Sequence, residues 1–136
     1  ILLTSSMSWG SLDGKGVFCD NGEVGEKNIT HFVSFNGGGL DLYGIQKTTD
    51  DQFESYVTNI VKLNYTSTAD EIRWYSLSHS YTLYRKTLMI SVIRGDIRLP
   101  TIQCEVHTSE KIFSLLKSRV EERQIEFEKG IVGNKI

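Results

Sequence analysis

Three histidines are the side chains in this sequence best suited to bind a metal ion. They are widely spaced, at His31, His79 and His107, and none has a close ligand partner of the H-x-x-x-H kind. Zinc sites draw three or four ligands together, so a site here would require all three histidines to converge through the tertiary fold. His31 lies on the apolar face of a predicted strand and His79 in a polar loop, so no metal site is predicted.

Nucleophilic catalysis and phosphate binding find equally little support. The sequence has no G-x-S-x-G elbow, and its glycine triplet at 37–39 lacks the spacing of G-x-G-x-x-G or of the Walker loop. The acidic pairs Asp50-Asp51 and Asp70-Glu71 are sequence neighbours in polar turns, where solvation and capping explain them. We therefore expect a protein that is not an enzyme, has no cofactor and has no catalytic residues.

Aromatic and cationic side chains give the strongest indication of a binding surface. Arg73 and Tyr75 alternate with Ile72 and Trp74 along one predicted strand, and Tyr84 and Arg85 end a following one. If the two strands pair, one face carries Arg73, Tyr75, Tyr84 and Arg85. Flat aromatic surface beside a cation binds carbohydrates, acidic groups or proteins. Ordinary cross-strand packing, with arginine stems covering the rings, is the alternative.

The two cysteines indicate a disulfide. Cys19 and Cys104 lie in short strand-like runs near the two ends of the domain, and the alternation of each run turns the thiol toward the core. They form no C-x-x-C motif, which argues against a zinc knuckle or a thioredoxin-type pair. A Cys19–Cys104 bridge would join the first strand to the last. Two buried free thiols in a cytosolic protein are the alternative.

The elements that must position these residues are mostly strands. Clear alternation at 28–36, leading into Asn36 and three glycines, predicts a hairpin with a returning strand at 40–47. Further strands are predicted at 71–76, over 81–93 as a pair, and at 99–107. An amphipathic helix is predicted over 109–129, ended by Gly130. Seven or eight antiparallel strands with a helix packed on them make a mainly β fold, either a small barrel or a sandwich.

In the segment 49–66, the spacing of the apolar residues fits both a helix and a strand. Phe53, Tyr56, Val57, Ile60 and Val61 fall at helical spacing, and Thr49 with Gln52 resembles a capping box. The same stretch also alternates and is rich in β-branched and aromatic residues, which suit a pleated surface. We predict a strand over about 56–67.

The chain start resembles the end of a secretory signal peptide. Residues 1–10 form an apolar run that fades into small residues, with Ser6 and Ser8 spaced as at a cleavage site. The expectation is a signal remnant at 1–10 and one β-rich domain at 11–136. A short hydrophobic edge strand or a disordered terminus is the alternative for 1–10. No later stretch approaches the apolar length of a membrane span, so no spanning segment is predicted.

The length and net charge of the chain indicate the number of its domains and limit the kinds of partner it could bind. The 136 residues suit one domain, and fifteen Lys plus Arg against seventeen Asp plus Glu give a net charge of -2. This balance argues against nucleic acid as a partner.

Several segments together resemble a set of short exported bacterial proteins of unassigned function. They are the signal-like start, the early Cys19, the strand run 71–74, the segment 81–88, and Gln103-Cys104-Glu105 before a charged helix. The resemblance covers about residues 15–125. It implies export, a disulfide and a β-then-helix order, and it carries over no catalytic residue.

The expectation from sequence is thus a periplasmic or secreted, non-enzymatic binding module. Its partner would be a small apolar ligand or another protein. An envelope-associated structural or assembly subunit is the alternative, and a small hydrolase is third.

Overall fold

The computed structural model describes residues 12–24, 27–50 and 53–134. The signal remnant predicted at 1–10 lies outside this range. The described residues form nine strands and one helix: β1 (Lys15–Asp20), β2 (Thr30–Asn36), β3 (Gly39–Asp50), β4 (Phe53–Ser67), β5 (Glu71–Tyr75), β6 (His79–Tyr84), β7 (Met89–Arg94), β8 (Ile97–Arg98), β9 (Ile102–Thr108) and α1 (Ser109–Asn134).

Eight of the strands close into an antiparallel barrel. From β1 to β7, each strand pairs antiparallel with the next one in sequence, and the last of these pairs is β6–β7. Strand β9 pairs with both β1 and β7 and so closes the ring. The two-residue β8 is an appendage of β7. The predicted mainly β class with one helix is confirmed, and of the two architectures left open the barrel is the one formed.

The barrel interior is filled by side chains. Alternation along β5 turns Ile72 and Trp74 inward and Arg73 and Tyr75 outward, which is the pattern predicted for this strand. The other strands contribute in the same way, and the buried cluster is Val17, Cys19, Val33, Phe35, Leu40, Ile72, Trp74, Tyr81, Leu83, Ile90, Val92, Ile102 and Cys104. Because these side chains meet across the barrel, its centre is a packed core.

A second, smaller core lies outside the barrel, under helix α1. Phe32 on the outer face of β2 is buried against Ile112 and Leu116 of the helix. The Thr108 hydroxyl accepts a hydrogen bond from Lys111 N at 3.2 Å and so caps the first turn. The helix begins at the predicted residue, Ser109, but continues past Gly130 to Asn134.

The predicted disulfide is present. Cys19 on β1 and Cys104 on β9 stand directly opposite each other, with an S–S distance of 2.03 Å and a sequence separation of 85. The bridge therefore links the first strand to the last, as expected. Both cysteines are buried in the interior core.

From Phe53 onward the ambiguous segment forms strand β4, so the predicted strand is confirmed and the helical alternative is wrong. Helical spacing arises because both faces of the strand carry apolar residues. Tyr56 packs against Phe127 of helix α1 with ring centroids 6.2 Å apart, whereas its neighbour Val57 lies on the opposite face. Contacts on both faces give a sequence pattern that matches either period.

The β3–β4 hairpin extends beyond the barrel. Strand β4 pairs with β3 from Phe53 to Asn64, and with β5 only through Tyr65, Thr66 and Ser67. On the other side, β2 pairs with β3 no further than Tyr43. The outer part of this hairpin is therefore a two-stranded arm, which helix α1 covers on one face.

Within the described residues no helix is long and apolar enough to cross a membrane.

Candidate functional site

A cleft of about 250 Å³ opens into one end of the barrel. Strands β1, β2, β5, β6 and β9 and the β6–β7 turn contribute its walls, so it forms only when the barrel closes. Seven of its side chains are apolar and two are cationic: Leu12, Val17, Phe35, Ile72, Leu83, Leu88, Val106, Lys15 and Arg85. An apolar cavity with few polar groups at its rim is the usual composition of a small-ligand site.

Leu88 lines this cleft from an unfavourable backbone conformation. Its φ of 57° lies in the left-handed region, which costs a residue with a Cβ about 1 kcal/mol or more. Two backbone hydrogen bonds hold it there: Leu88 N donates to Tyr84 O at 2.8 Å, and Leu88 O accepts from Cys104 N at 2.7 Å. The turn thus places the Leu88 side chain at the entrance of the cleft, packed on the barrel core. Glycine would adopt this backbone conformation with less strain.

Charged groups surround the rim of the cleft. Arg85 is half-buried as a residue, and its guanidinium donates to Thr68 O at 3.2 Å, which directs it along the barrel end. Burial raises the pKa of the nearby Tyr65 hydroxyl, the charge of Asp13 raises it further, and Arg85 acts in the opposite direction. Lys15 adds a second, exposed cation. An apolar interior with two cations at its entrance is chemically suited to an amphipathic anion.

The four residues predicted to form a binding surface do not all lie on one face of the barrel. Strands β5 and β6 pair, and Arg73, Tyr75 and Tyr84 lie on their outer face, where Tyr75 is 63% exposed. The Arg73 Nε donates to Glu71 Oε1 at 2.7 Å, and this bond and the carboxylate charge raise the pKa of the guanidinium. Arg85 lies apart, in the turn at the barrel end.

A larger groove of about 500 Å³ runs between helix α1 and the loop after β1. Its polar side chains bind one another: Arg119 donates to Asn28 Oδ1 at 2.7 Å and to Asp20 Oδ2 at 3.4 Å. Burial acts to raise the pKa of Asp20, but hydrogen bonds from Gly22 N, Asn28 and Arg119 outweigh it and lower that pKa. This network ties the helix to the loop.

The three histidines have separate surroundings. His31 lies inside the barrel end opposite the cleft, edge-on to Tyr81 at 5.8 Å, and Tyr81 also stacks on His79 at 6.0 Å. Burial, with a smaller effect of His79, lowers the pKa of His31 to about 4. His107 lies on β9, with Nε2 at 3.2 Å from Glu105 Oε1. Among the residues described, no group of three or more His, Cys, Asp or Glu is placed to hold a metal.

Of the cleft residues, only Arg85 was among those predicted from sequence to form a binding surface, and the prediction placed it on a strand face with Arg73 and Tyr75. Lys15 and Val106 belong to the first and last strands and meet only through barrel closure. Leu88 carries no local signal, because a left-handed position is normally marked by Gly or Asn. The strand pair predicted over 81–93, which implies a turn between its two strands, was the nearest available indication.

The site and fold together define the chain as a small closed antiparallel barrel with an external helix and a cleft at one end. No family model, no curated protein and no solved structure matches it.

Proposed function

We propose that this protein is an exported, non-enzymatic binding module that takes an amphipathic anion in the cleft at the barrel end. The observation that carries the proposal is the cleft itself, in which an apolar wall is combined with Lys15 and Arg85 at the rim. The packed interior confines the ligand to this shallow site. An apolar group would enter between Leu83, Leu88 and Val106, with its anionic head near the cations.

Two further features support the proposal. Disulfides persist in oxidising compartments, so the Cys19–Cys104 bridge agrees with export. Leu88 has a left-handed backbone at the cleft, a conformation that glycine would adopt with less strain, and such strain concentrates at ligand sites.

Titration with 1-anilinonaphthalene-8-sulfonate, an apolar fluorophore with an anionic group, tests the site. We expect saturable binding of one probe per chain. Val106, 49% exposed at the cleft, is the position to block: Val106→Glu should weaken binding by about tenfold, because it narrows the entrance and repels the sulfonate. Ile97→Glu is the matched control, since Ile97 is similarly exposed but lies on β8, away from the cleft.

The cations are tested with the same probe and with N-phenyl-1-naphthylamine, which has the same ring system without the sulfonate. Arg85→Gln combined with Lys15→Gln should weaken binding of the anionic probe by about tenfold and leave the neutral one nearly unchanged. Equal binding by Val106→Glu and the parent protein would reject the cleft as the site. Equal loss of both probes would reject recognition of an anion.

A further inference from the structure

The outer edge of β4 is an unpaired strand edge. Tyr56 N donates to Gln124 Oε1 of helix α1 at 3.0 Å, so the backbone groups of Tyr56 point away from β3. Backbone orientation alternates along a strand, so Thr58, Ile60 and Lys62 direct their N–H and C=O groups to the same side. No hydrogen bond to these six groups is formed by the part of the chain that the structure describes. An edge of this kind is a template for another strand.

The features that usually protect an edge are missing along 57–63. The stretch contains no proline, and its one charged residue, Lys62, is drawn back across the hairpin by a 3.0 Å bond to Asp41. Its apolar residues are exposed on both faces: Val57 and Val61 on one, Ile60 on the other. Exposed β-branched residues on an unprotected edge favour pairing.

An apolar strip leads from helix α1 to this edge. Phe113, 46% exposed, lies on Tyr43 of β3 with ring centroids 6.4 Å apart. Tyr43 stands directly opposite Ile60, which is 53% exposed and is the last residue of the strip before the edge. Nothing described continues the strip beyond Ile60, so it ends abruptly at the open side.

A second copy of this chain continues the strip. Antiparallel pairing of two identical strands is two-fold symmetric, so each residue meets its complement under exchange of the copies. With Ile60 on the axis, Thr58 faces Lys62 of the other copy and all three outward-pointing residues are paired. The two strips then join through Ile60. Moving the two-fold axis by two residues, from Ile60 to Lys62, would place Lys62 against Lys62, which like-charge repulsion disfavours.

We infer that β4 pairs antiparallel with β4 of a second copy, about a two-fold axis at Ile60, to form a homodimer through a continuous β3–β4 sheet. An extended segment of a different protein is the competing occupant. The observation that favours a second copy is the strip, because pairing about Ile60 sets the exposed apolar end of one strip directly against the same end of the other.

Sedimentation velocity over a range of concentrations tests the dimer. We expect reversible dimerisation, weakened at least tenfold by Ile60→Lys. Ile125→Lys is the control, since Ile125 is equally exposed but lies on helix α1. Ile60→Pro is a second variant: it removes the N–H that faces the partner and leaves the β3–β4 hydrogen bonds, because the backbone of Ile60 points away from β3. It should also shift the protein to monomer.

Cysteine cross-linking tests the register. Both native cysteines are bridged, so an introduced thiol reacts alone. Directly opposed, hydrogen-bonded residues have Cα atoms about 5.5 Å apart, within disulfide range. Ile60→Cys should therefore form a covalent dimer on mild oxidation. Lys62→Cys should not, because its copies would stand about 13 Å apart, but it should link to Thr58→Cys when the two variants are mixed.

A monomer at every concentration, with no covalent dimer from Ile60→Cys, would overturn the inference. So would a dimer that Ile60→Lys leaves intact, or one in which Lys62→Cys links to itself. Binding of unrelated extended peptides with no self-association would assign the edge to another partner. The cleft proposal stands separately, since the Ile60 variants should bind the naphthalene probes as the parent does.

Discussion

His31 shows how strongly one residue depends on the closed barrel around it. Its Nε2 is shut off from solvent and has no hydrogen-bond partner among the described residues. Burial therefore disfavours its charged form, and its pKa falls to about 4 from an ordinary value of 6.5. The unfolded chain binds a proton in the interval between these values, whereas the folded barrel does not.

Protein stability should accordingly depend on His31 between pH 6.5 and 4. The neutral histidine is fully compatible with the fold above pH 6.5, and stability is lost progressively as the pH falls to about 4, by up to about 3 kcal/mol. His31→Leu should remove this part of the pH dependence. Urea unfolding of both proteins at several pH values measures the difference in slope.

His107→Gln serves as the control, because His107 lies on the barrel exterior. It should retain the pH dependence of the parent protein. A His31→Leu variant with an unchanged slope would show that other groups cause the acid sensitivity.

Residue-scale prediction from sequence succeeded where a side chain's direction follows from alternation. The cysteines were predicted to point toward the core for that reason, and Ile72 and Trp74 to lie on the face opposite Arg73 and Tyr75; the structure confirms both. Prediction failed where a contact from a residue remote in sequence determines the backbone conformation. Leu88 is held left-handed by a hydrogen bond from Cys104, which is remote in sequence.

At the scale of elements, Gly16 sets the distance between the helix and the barrel. It lies on the outer face of β1, and a Cβ there would collide with the Val33 carbonyl oxygen and come within 2.6 Å of Ile112 Cγ1. The absence of a side chain thus lets helix α1 approach the sheet closely enough to bury Phe32 and Ile112 together.

Gly16→Ala should destabilise the protein by about 1–3 kcal/mol, because the extra methyl group overfills a close-packed interface. Chemical denaturation measures the change. The penalty should be smaller in an Ile112→Ala background, where part of the collision is removed. A neutral Gly16→Ala would show that the helix can shift at no cost.

Element types were well predicted, whereas their lengths and partners were less so. The β2–β3 hairpin was signalled by Asn36 and the following glycines, of which Gly37 and Gly38 have positive φ. The extent of the β3–β4 arm had no such signal. Its outer part is stabilised by contacts with helix α1, including that of Tyr56 with Phe127, which lie far apart in sequence.

At the scale of the whole molecule, the Cys19–Cys104 bridge secures the strand pair at which the two ends of the barrel sheet meet. The 85-residue separation gives the disulfide a large effect on the unfolded chain, worth about 4–5 kcal/mol in the chain-entropy model. The double variant Cys19→Ala/Cys104→Ala should be destabilised by about that amount.

Denaturant unfolding of the double variant, and of the parent with and without a reductant, measures this contribution. The parent should be insensitive to thiol labelling when unfolded without reductant, because both cysteines are bridged. Two labelled thiols, or equal stability of the double variant, would contradict the prediction.

Sequence patterns could not distinguish the barrel from a sandwich, and the reason is geometric. Both architectures use the same alternating strands, and they differ only in whether the last strands pair back to close the ring. Here closure depends on β9 pairing with β1 and β7. The candidate cleft could not be predicted for the same reason, since Lys15 and Val106 become neighbours only at this junction.

The order of the strands also constrains how the chain can fold. Every strand pair from β1–β2 to β6–β7 joins consecutive strands, whereas β1–β9 joins segments from opposite ends of the domain. The loop-closure entropy of that pair is large and is offset only when the hairpins are already in place. The hairpin series should therefore assemble early and the β1–β9 seam late, which leaves β1 and β9 open to mispairing until the oxidised bridge fixes them.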